Sequence, residues 1–338
     1  TQEHGPDLFP AAFITNLAAP SNYVGPGRVF GSASSTPEEL PLVRPLTEEE
    51  FQPWMPSKTT TSPEIKPHKN GHRPRWKGED RVPDSLAEAI RSFIYACAVR
   101  KLRGQGNKHS SMLIHVTRYT SVQSEVVTQV AEYVRNLKGR FTRGIELAEL
   151  EASMCKEYED TFVPSMQTIR SALVEGETLT DFSWDELRAV LPDVLSDIRV
   201  REINGTAKDA LDYAENDGTG LKVIAIGGDK LARGLTLEGL CTSYFLRTAR
   251  MYDTLMQMGR WFGYRDGYLD VCRLYTSQEM VEWFGHIADA AEELRQEFDN
   301  MVAAGATPKQ FGLRVKSHSV LTVTSRAKMR NARAMQLT

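Results

Sequence analysis

The sequence predicts an α/β protein with a mostly parallel sheet covered by helices on both faces. Short apolar runs rich in β-formers recur at "SMLIHVTR" (111–118), "KVIAIGG" (222–228), "TSYFLR" (242–247) and "DVCRLYT" (270–276). They do not alternate between apolar and polar residues, so both faces of each strand must be buried. Segments of helical spacing separate them, which is the order of strand–helix–strand crossovers. In such sheets ligands bind beyond the carboxyl ends of the strands. The loops after Arg118, Ile226 and Leu246 are therefore the places to look for chemistry.

The chain of 338 residues allows one large or two modest domains. With 41% hydrophobic and 25% charged residues it has enough apolar material for a core. The net charge of −3 rules out a globally basic nucleic-acid binder, so any such surface must be a local patch. Cys97, Cys155, Cys241 and Cys272 form no CxxC pair, which argues against a zinc site or a disulfide framework. Cys241 and Cys272 lie in strand-like runs and read as small core residues. There is no run of 18 apolar residues and no signal peptide, so no membrane partner and a cytoplasmic setting are expected. The chain begins at Thr1 in what reads as mid-protein sequence, and a fragment is expected.

Residues 1–81 are expected to be irregular, because prolines recur from Pro6 to Pro67 and break helices and central strands. The glycine-rich "VGPGRVFGS" is followed by no helical pattern and reads as a surface turn rather than a phosphate cradle. The basic run "KPHKNGHRPRWKG" (66–78) has two readings. It is a solvated connector, or it tracks a phosphate backbone with Trp76 stacked on a base.

The pattern changes at Val82. Ser85 followed by Glu88 is a capping-box spacing, and the helix it opens runs to Gly104. The strand 111–118 and the helix "SVQSEVVTQVAEYVRNL" follow. Residues from about 140 to 195 read as a helical insertion of two or three helices, with Pro164 and Ser183 near their starts. "DIRVREING" is a further strand and "KDALDYAEN" a short helix. "YDTLMQMGRWF" is a helix between two strands. A long amphipathic helix then begins at Thr276 or Ser277 and ends at Gly305. The tail after Pro308 is basic, and reads as an added strand, a nucleic-acid contact or the start of a further domain.

Two motifs carry chemistry. In "GGDKLARG" (227–234), Gly227 and Gly228 let the backbone bend and approach a ligand closely, and Asp229 and Arg233 point into the same cleft. The competing reading is a plain turn with an Asp–Arg pair. In "QMGRWFGYR" (257–265), Gln257, two glycines, Arg260 and Arg265 follow a short helix. Arginine suits a γ-phosphate because its planar, always-charged fork binds phosphate oxygens bidentately. Alone this is a helix end with solvated arginines. About 25 residues after the first motif, with a strand between, it is far more specific. No GxxxxGK[ST] loop occurs, so the chain reads as half of a motor.

Together the two motifs resemble the last two signatures of superfamily-two helicases and translocases, roughly "ATDxAARGLD" and "QRxGRxxR". The resemblance implies a RecA-like three-layer domain. It implies nucleotide contacts from Gly228, Asp229, Arg233, Gly234 and Gln257, and arginine fingers from Arg260 and Arg265. Nucleic-acid backbone contacts would come from Thr117, Arg118 and Lys230. The match departs at Thr236, where the family has an aspartate for the ribose, and in the spacing of the second motif. That spacing leaves open which of the two arginines is the finger, and Arg265 is the one favoured.

A closer resemblance is to the Z1 (Z-one) domain family, bacterial proteins labelled as endonucleases and linked with restriction and phage defence. It rests on "VPDSLAEAIRSFIYACAVRKLRG", "HSSMLIHVTR", "GGDKLARGLTLEGL", "SYFLR" and "YDTLMQMGRWFGYR". It implies that an upstream P-loop domain of the same protein binds ATP with Mg²⁺, that residues 1–81 end that half and link it to this one, and that DNA and other defence proteins are partners. Residues 82–310 would be the RecA-like domain and 311–338 a tail or further domain. This chain alone is expected not to hydrolyse ATP.

The endonuclease label finds no centre here. Glu64-Ile65-Lys66 is the lone ExK and lies between Pro63 and Pro67, off any strand. Asp197 and Glu202 flank a strand without a lysine to match. His109 reads as a loop residue and His115 as a core residue. No metal ligands are assigned. The expected function is a second motor domain of a DNA-acting ATPase; the alternatives are a metal-dependent endonuclease with unrecognised ligands and a non-catalytic assembly module.

Overall fold

The computed structural model describes residues 13–15, 17, 20, 22–31, 39–56, 68–173, 179–203, 213–228, 231, 236–247, 249, 251–308 and 320–323. Six strands form one sheet: β1 (Val43–Leu46), β2 (Ser110–His115), β3 (Ile198–Ile203), β4 (Lys222–Gly227), β5 (Leu240–Phe245) and β6 (Arg273–Ser277). Their spatial order is β1-β6-β5-β2-β4-β3, and every pairing is parallel. Every residue of β2, β4 and β5 is buried, as their continuous apolar runs require.

Helices cover both faces of the sheet, the three-layer RecA-like α/β arrangement. In chain order they are α1 (Pro26–Phe30), α2 (Asp84–Arg100), α3 (Thr120–Arg143), α4 (Leu147–Glu157), α5 (Val163–Ser171), α6 (Trp184–Asp197), α7 (Tyr252–Met258) and α8 (Gln278–Ala303). On one face α2, α3 and α6 pack on Met112, Ile114, Ile224, Ile226 and Tyr244. On the other, α1, α7 and α8 pack on Phe245 and Leu274.

The helical insertion is present. Pro164 lies in the first turn of α5, directly after the π-helical turn Tyr158–Phe162 that joins α4 to α5. Ser183 caps α6, accepting from the Glu186 N–H while Glu186 reaches back. Ser277 caps α8 with its hydroxyl alone, accepting from the Met280 N–H.

Three expectations are corrected. Residues 1–81 are not irregular throughout: within "VGPGRVFGS" residues 26–30 form α1 with Val29 and Phe30 buried rather than a surface turn, and residues 43–46 add β1 to the sheet beside β6. Pro45 is tolerated there because β1 is an edge strand. Ser85 does not cap α2, which starts one residue earlier behind Pro83. Its hydroxyl instead donates to the Glu50 carbonyl at 2.8 Å and pairs with the Tyr244 hydroxyl at 2.9 Å. Trp76 neither stacks on a base nor sits in a solvated connector, because its ring is buried in the main core. The segment around it docks on α3. There the Gln129 amide donates to the Pro74 carbonyl at 2.7 Å and accepts from the Trp54 indole at 2.8 Å. The Asp229–Lys230 pair, residues 232–235, Glu64, Lys66, residues 204–212 and most of the basic tail lie outside the described residues.

Candidate functional site

The connections set where a ligand can reach the sheet. From β2 the chain passes through α3 toward β3, and from β5 it passes through α7 toward β6 on the other side. The carboxyl ends of β2 and β5 are neighbours, so a crevice opens between them at the topological switch point. Its rims are the loops 116–119 and 246–247. Both are tied to His115, which is fully buried at the end of β2. The His115 carbonyl accepts from the Leu246 N–H at 3.1 Å and the Arg247 N–H at 3.3 Å. The Arg247 guanidinium donates to the His115 ring at 3.2 Å.

A cavity of about 330 Å³ fills this crevice, lined by His68, Thr117, Arg118, Arg247, Ser277 and Glu279 among others. Ser277 starts α8, so the positive end of a 26-residue helix faces the cavity. Arg118 is exposed and stacks 5.0 Å from the Tyr119 ring centre. Thr117 is only 2% exposed. Its hydroxyl bonds the His68 ring at 2.7 Å and accepts from the Tyr119 N–H at 3.1 Å. It holds the loop, and Arg118 is the member that reaches solvent.

Gly228 joins this cluster from β4. A Cβ there would lie 2.7 Å from Gln123 Nε2 and 3.8 Å from the Arg118 carbonyl. A larger residue there would have to push the Gln123 amide off the Thr117 carbonyl. Gln123, 2% exposed, donates to the Thr117 carbonyl at 3.1 Å. Its Oε1 has no partner among the described residues. Thus Thr117, Arg118 and Gly228 come together, and Gln123 links them. Sequence reasoning missed Gln123 and Arg247. Only position marks them, since each lies within eight residues of a strand end in a segment otherwise typical of a helix or a loop.

The two motif arginines are not in this cluster. Gln257 is exposed on the last turn of α7, and Gly259 ends the helix. Arg260 is half-buried, and burial lowers its pKa. Arg265 folds back on its own turn, donating to the Tyr264 carbonyl at 2.7 Å and the Arg260 carbonyl at 3.2 Å. It lines a cavity of about 20 Å³ with Leu240, Cys241, Cys272 and Arg273, at the amino ends of β5 and β6. A six-residue strand spans about 20 Å, so Arg265 and the crevice lie at opposite ends of the sheet. Asp229, Lys230, Arg233 and Gly234 lie outside the described residues.

The larger cavity, about 700 Å³, lies between Glu49, Gln52, Lys77, Asp84, Glu88 and Arg91. Most of its charges are neutralised by neighbours, with Arg44–Glu50 at 2.5 Å, Lys77–Asp84 at 2.8 Å and Arg91–Glu157 at 2.5 Å. We therefore place the candidate site in the smaller crevice, at the topological switch point, where Arg118 and Arg247 stand beside Glu48, Glu279 and Glu282. Among the described residues no group of three or more His, Cys, Asp and Glu side chains is placed to hold a metal ion. Asp197 instead lies 3.2 Å from Lys222, and Glu202 accepts from Ser124 at 2.8 Å. His109 accepts from the Leu221 N–H at 2.9 Å. No helix among the described residues is long and apolar enough to cross a membrane.

Comparison with the curated proteins and with the solved structures finds no match for this chain. One family matches over most of it: the Z1 domain, across residues 85–322, a span that holds α2, five of the six strands and the arginine turn. The chain belongs to the Z1 domain family.

Proposed function

We propose that this chain is the second, C-terminal motor domain of a helicase- or translocase-like ATPase that acts on DNA in the cytoplasm, within a restriction or phage-defence system. The observation that carries this reading is the division of basic chemistry between two ends of one parallel sheet. The crevice at the carboxyl ends presents Arg118 and Arg247 beside the start of α8, with Glu48, Glu279 and Glu282 on its other walls. The turn 259–265 carries Arg260 and Arg265 elsewhere. A motor needs both, a track for the nucleic-acid backbone and charge for the phosphoryl group.

In this reading Arg118, on the loop that Thr117 holds, meets DNA phosphates together with Lys230, without regard to sequence. Gly228, Asp229, Arg233 and Gly234 couple that contact to the nucleotide, and Gln257 borders it. Arg260 and Arg265 lend charge to the γ-phosphate of an ATP whose Mg²⁺ and β-phosphate are held by a P-loop domain. The sequence carries no GxxxxGK[ST] loop, which supports a role of completing an ATP site rather than housing one. For Arg265 the fit requires leaving the two carbonyls it now bonds.

The test is ATP hydrolysis by the full-length protein, with and without duplex DNA, for the wild type, Arg260→Ala and Arg265→Ala. DNA-stimulated turnover that collapses in one variant supports the motor and identifies the finger. Turnover indifferent to both variants favours a non-catalytic assembly role for this domain. Metal-dependent cleavage of DNA without ATP turnover favours a nuclease.

A further inference from the structure

The arginine turn is held from outside as well as by its own hydrogen bonds. Gly263 has φ +128°, a conformation that side chains rarely adopt, and it sits between Trp261–Phe262 and Tyr264–Arg265. Both of its main-chain groups are used by a distant segment. The Val24 N–H donates to the Gly263 carbonyl at 3.0 Å, and the Gly263 N–H donates to the Val24 carbonyl at 3.0 Å. This is an isolated antiparallel bridge outside the sheet. Beside it the Tyr23 and Tyr264 rings meet edge to face, 5.6 Å apart.

The same segment grips the turn from a second side. Phe30 stacks on Phe284 of α8 at 4.8 Å and meets Trp261 and Phe262 edge-on at 6.2 and 6.3 Å. Val24 and Val29 are each 1% exposed. Arg28 anchors the far end by donating to the Ala172 carbonyl at 3.1 Å. The turn is held in a state that leaves one donor unserved, because the Trp261 indole N–H is buried without an acceptor among the described residues. A buried donor without a partner is a cost that a shifted turn would relieve.

We propose that Tyr23–Phe30 is a strap that positions the arginine turn, so that displacement of the strap changes where Arg260 and Arg265 point. Val24 and Tyr23 are positioning residues and touch no nucleotide themselves. The proposal rests on reading the turn as part of an ATP site. It adds that the segment N-terminal to the domain, at residues 23–30, is mechanically coupled to that site.

The experiment pairs two readouts on the full-length protein with Tyr23→Ala, Val24→Pro and Tyr23→Phe. Tyr23 is only half-buried, so its loss should leave the fold intact, and Val24→Pro removes the one N–H that meets Gly263. Amide exchange at Gly263 to Arg265 should quicken in the first two variants and remain as in the wild type in Tyr23→Phe, which keeps the ring contact. ATP turnover should fall in kcat by about tenfold, the scale of an aromatic edge contact, with KM for ATP and DNA affinity unchanged. Tyr23→Phe should restore kcat. Unchanged exchange at Gly263 in Tyr23→Ala and Val24→Pro overturns the strap whether or not the protein turns over ATP. Faster exchange with unchanged kcat reduces the segment to packing and overturns the positioning role. A wild type without turnover overturns the motor reading, and the positioning role with it, while exchange still reports the pairing.

Discussion

Arg265 donates its guanidinium to the main-chain carbonyl of Arg260 at 3.2 Å, so Arg265 ties the turn rather than standing as an extended finger. The geometry separates their roles. Arg260 lies one residue past the Gly259 that ends α7, while Arg265 is drawn toward the amino ends of β5 and β6.

The first prediction follows from that separation. A true finger should cost about 10³ or more in turnover when removed. Replacing Arg265 by Lys should be nearly as harmful as replacing it by Ala if it acts on phosphate, because a point charge cannot copy the bidentate fork. If its work is only to tie the turn through the Tyr264 and Arg260 carbonyls, Lys should recover most of the activity. Steady-state ATP hydrolysis by the two variants separates these outcomes.

Gly228 and Gln123 give a second prediction. An alanine at Gly228 places its Cβ 2.7 Å from Gln123 Nε2, which is itself fixed on the Thr117 carbonyl at 3.1 Å. Overpacking of this kind costs about 1–3 kcal/mol. The same substitution in a Gln123→Ala background should cost clearly less, with a coupling of roughly 0.5–3 kcal/mol. Urea unfolding of the single and double variants measures it, and additive losses would show that the two do not touch.

Much of the fold could be read from the sequence, and the exceptions have physical causes. β2, β4 and β5 were legible because a strand buried on both faces must be apolar throughout. Ser183 was legible because its capping partner Glu186 is local. β1 was not, since four residues with Arg44 and Pro45 carry no strand signal and gain their place only by pairing with β6. The spacing of Ser85 and Glu88 misled because distant partners, Glu50 and Tyr244, claim the serine hydroxyl. The same holds for the site. The motif glycines could be read off, but Gln123 beneath Gly228 and Val24 across Gly263 are contacts between distant segments, which no local pattern encodes.

A third prediction concerns stability. Asp270 is fully buried between Arg103 at 2.7 Å and Arg170 at 2.8 Å, joining the helical insertion to the start of β6. Burial alone would raise its pKa, but hydrogen bonds and charge from Arg103 and Arg170 outweigh that and leave it lowered. A lowered folded pKa means the stabilisation is present above the unfolded value of about 3.9 and is lost as pH falls through the folded value. Asp270→Asn strands two guanidiniums and should cost about 3–5 kcal/mol near pH 7. Denaturant unfolding from pH 7 to 3 should show this gap narrowing at the acid end. A gap that stayed constant would mean that the carboxylate does not carry the effect.

The last prediction tests the crevice. Arg118 is exposed on the loop after β2, with Tyr119 beneath its guanidinium. If it meets a DNA phosphate, Arg118→Ala should weaken binding about equally for unrelated sequences and reduce the salt dependence of log K by roughly one unit of slope. Arg260→Ala, at the arginine turn, should leave that slope unchanged while lowering turnover. Binding titrations at several salt concentrations decide the matter. A slope that moves only with Arg260 would put the nucleic acid on the arginine turn and the nucleotide in the crevice, exchanging the two ends of the sheet.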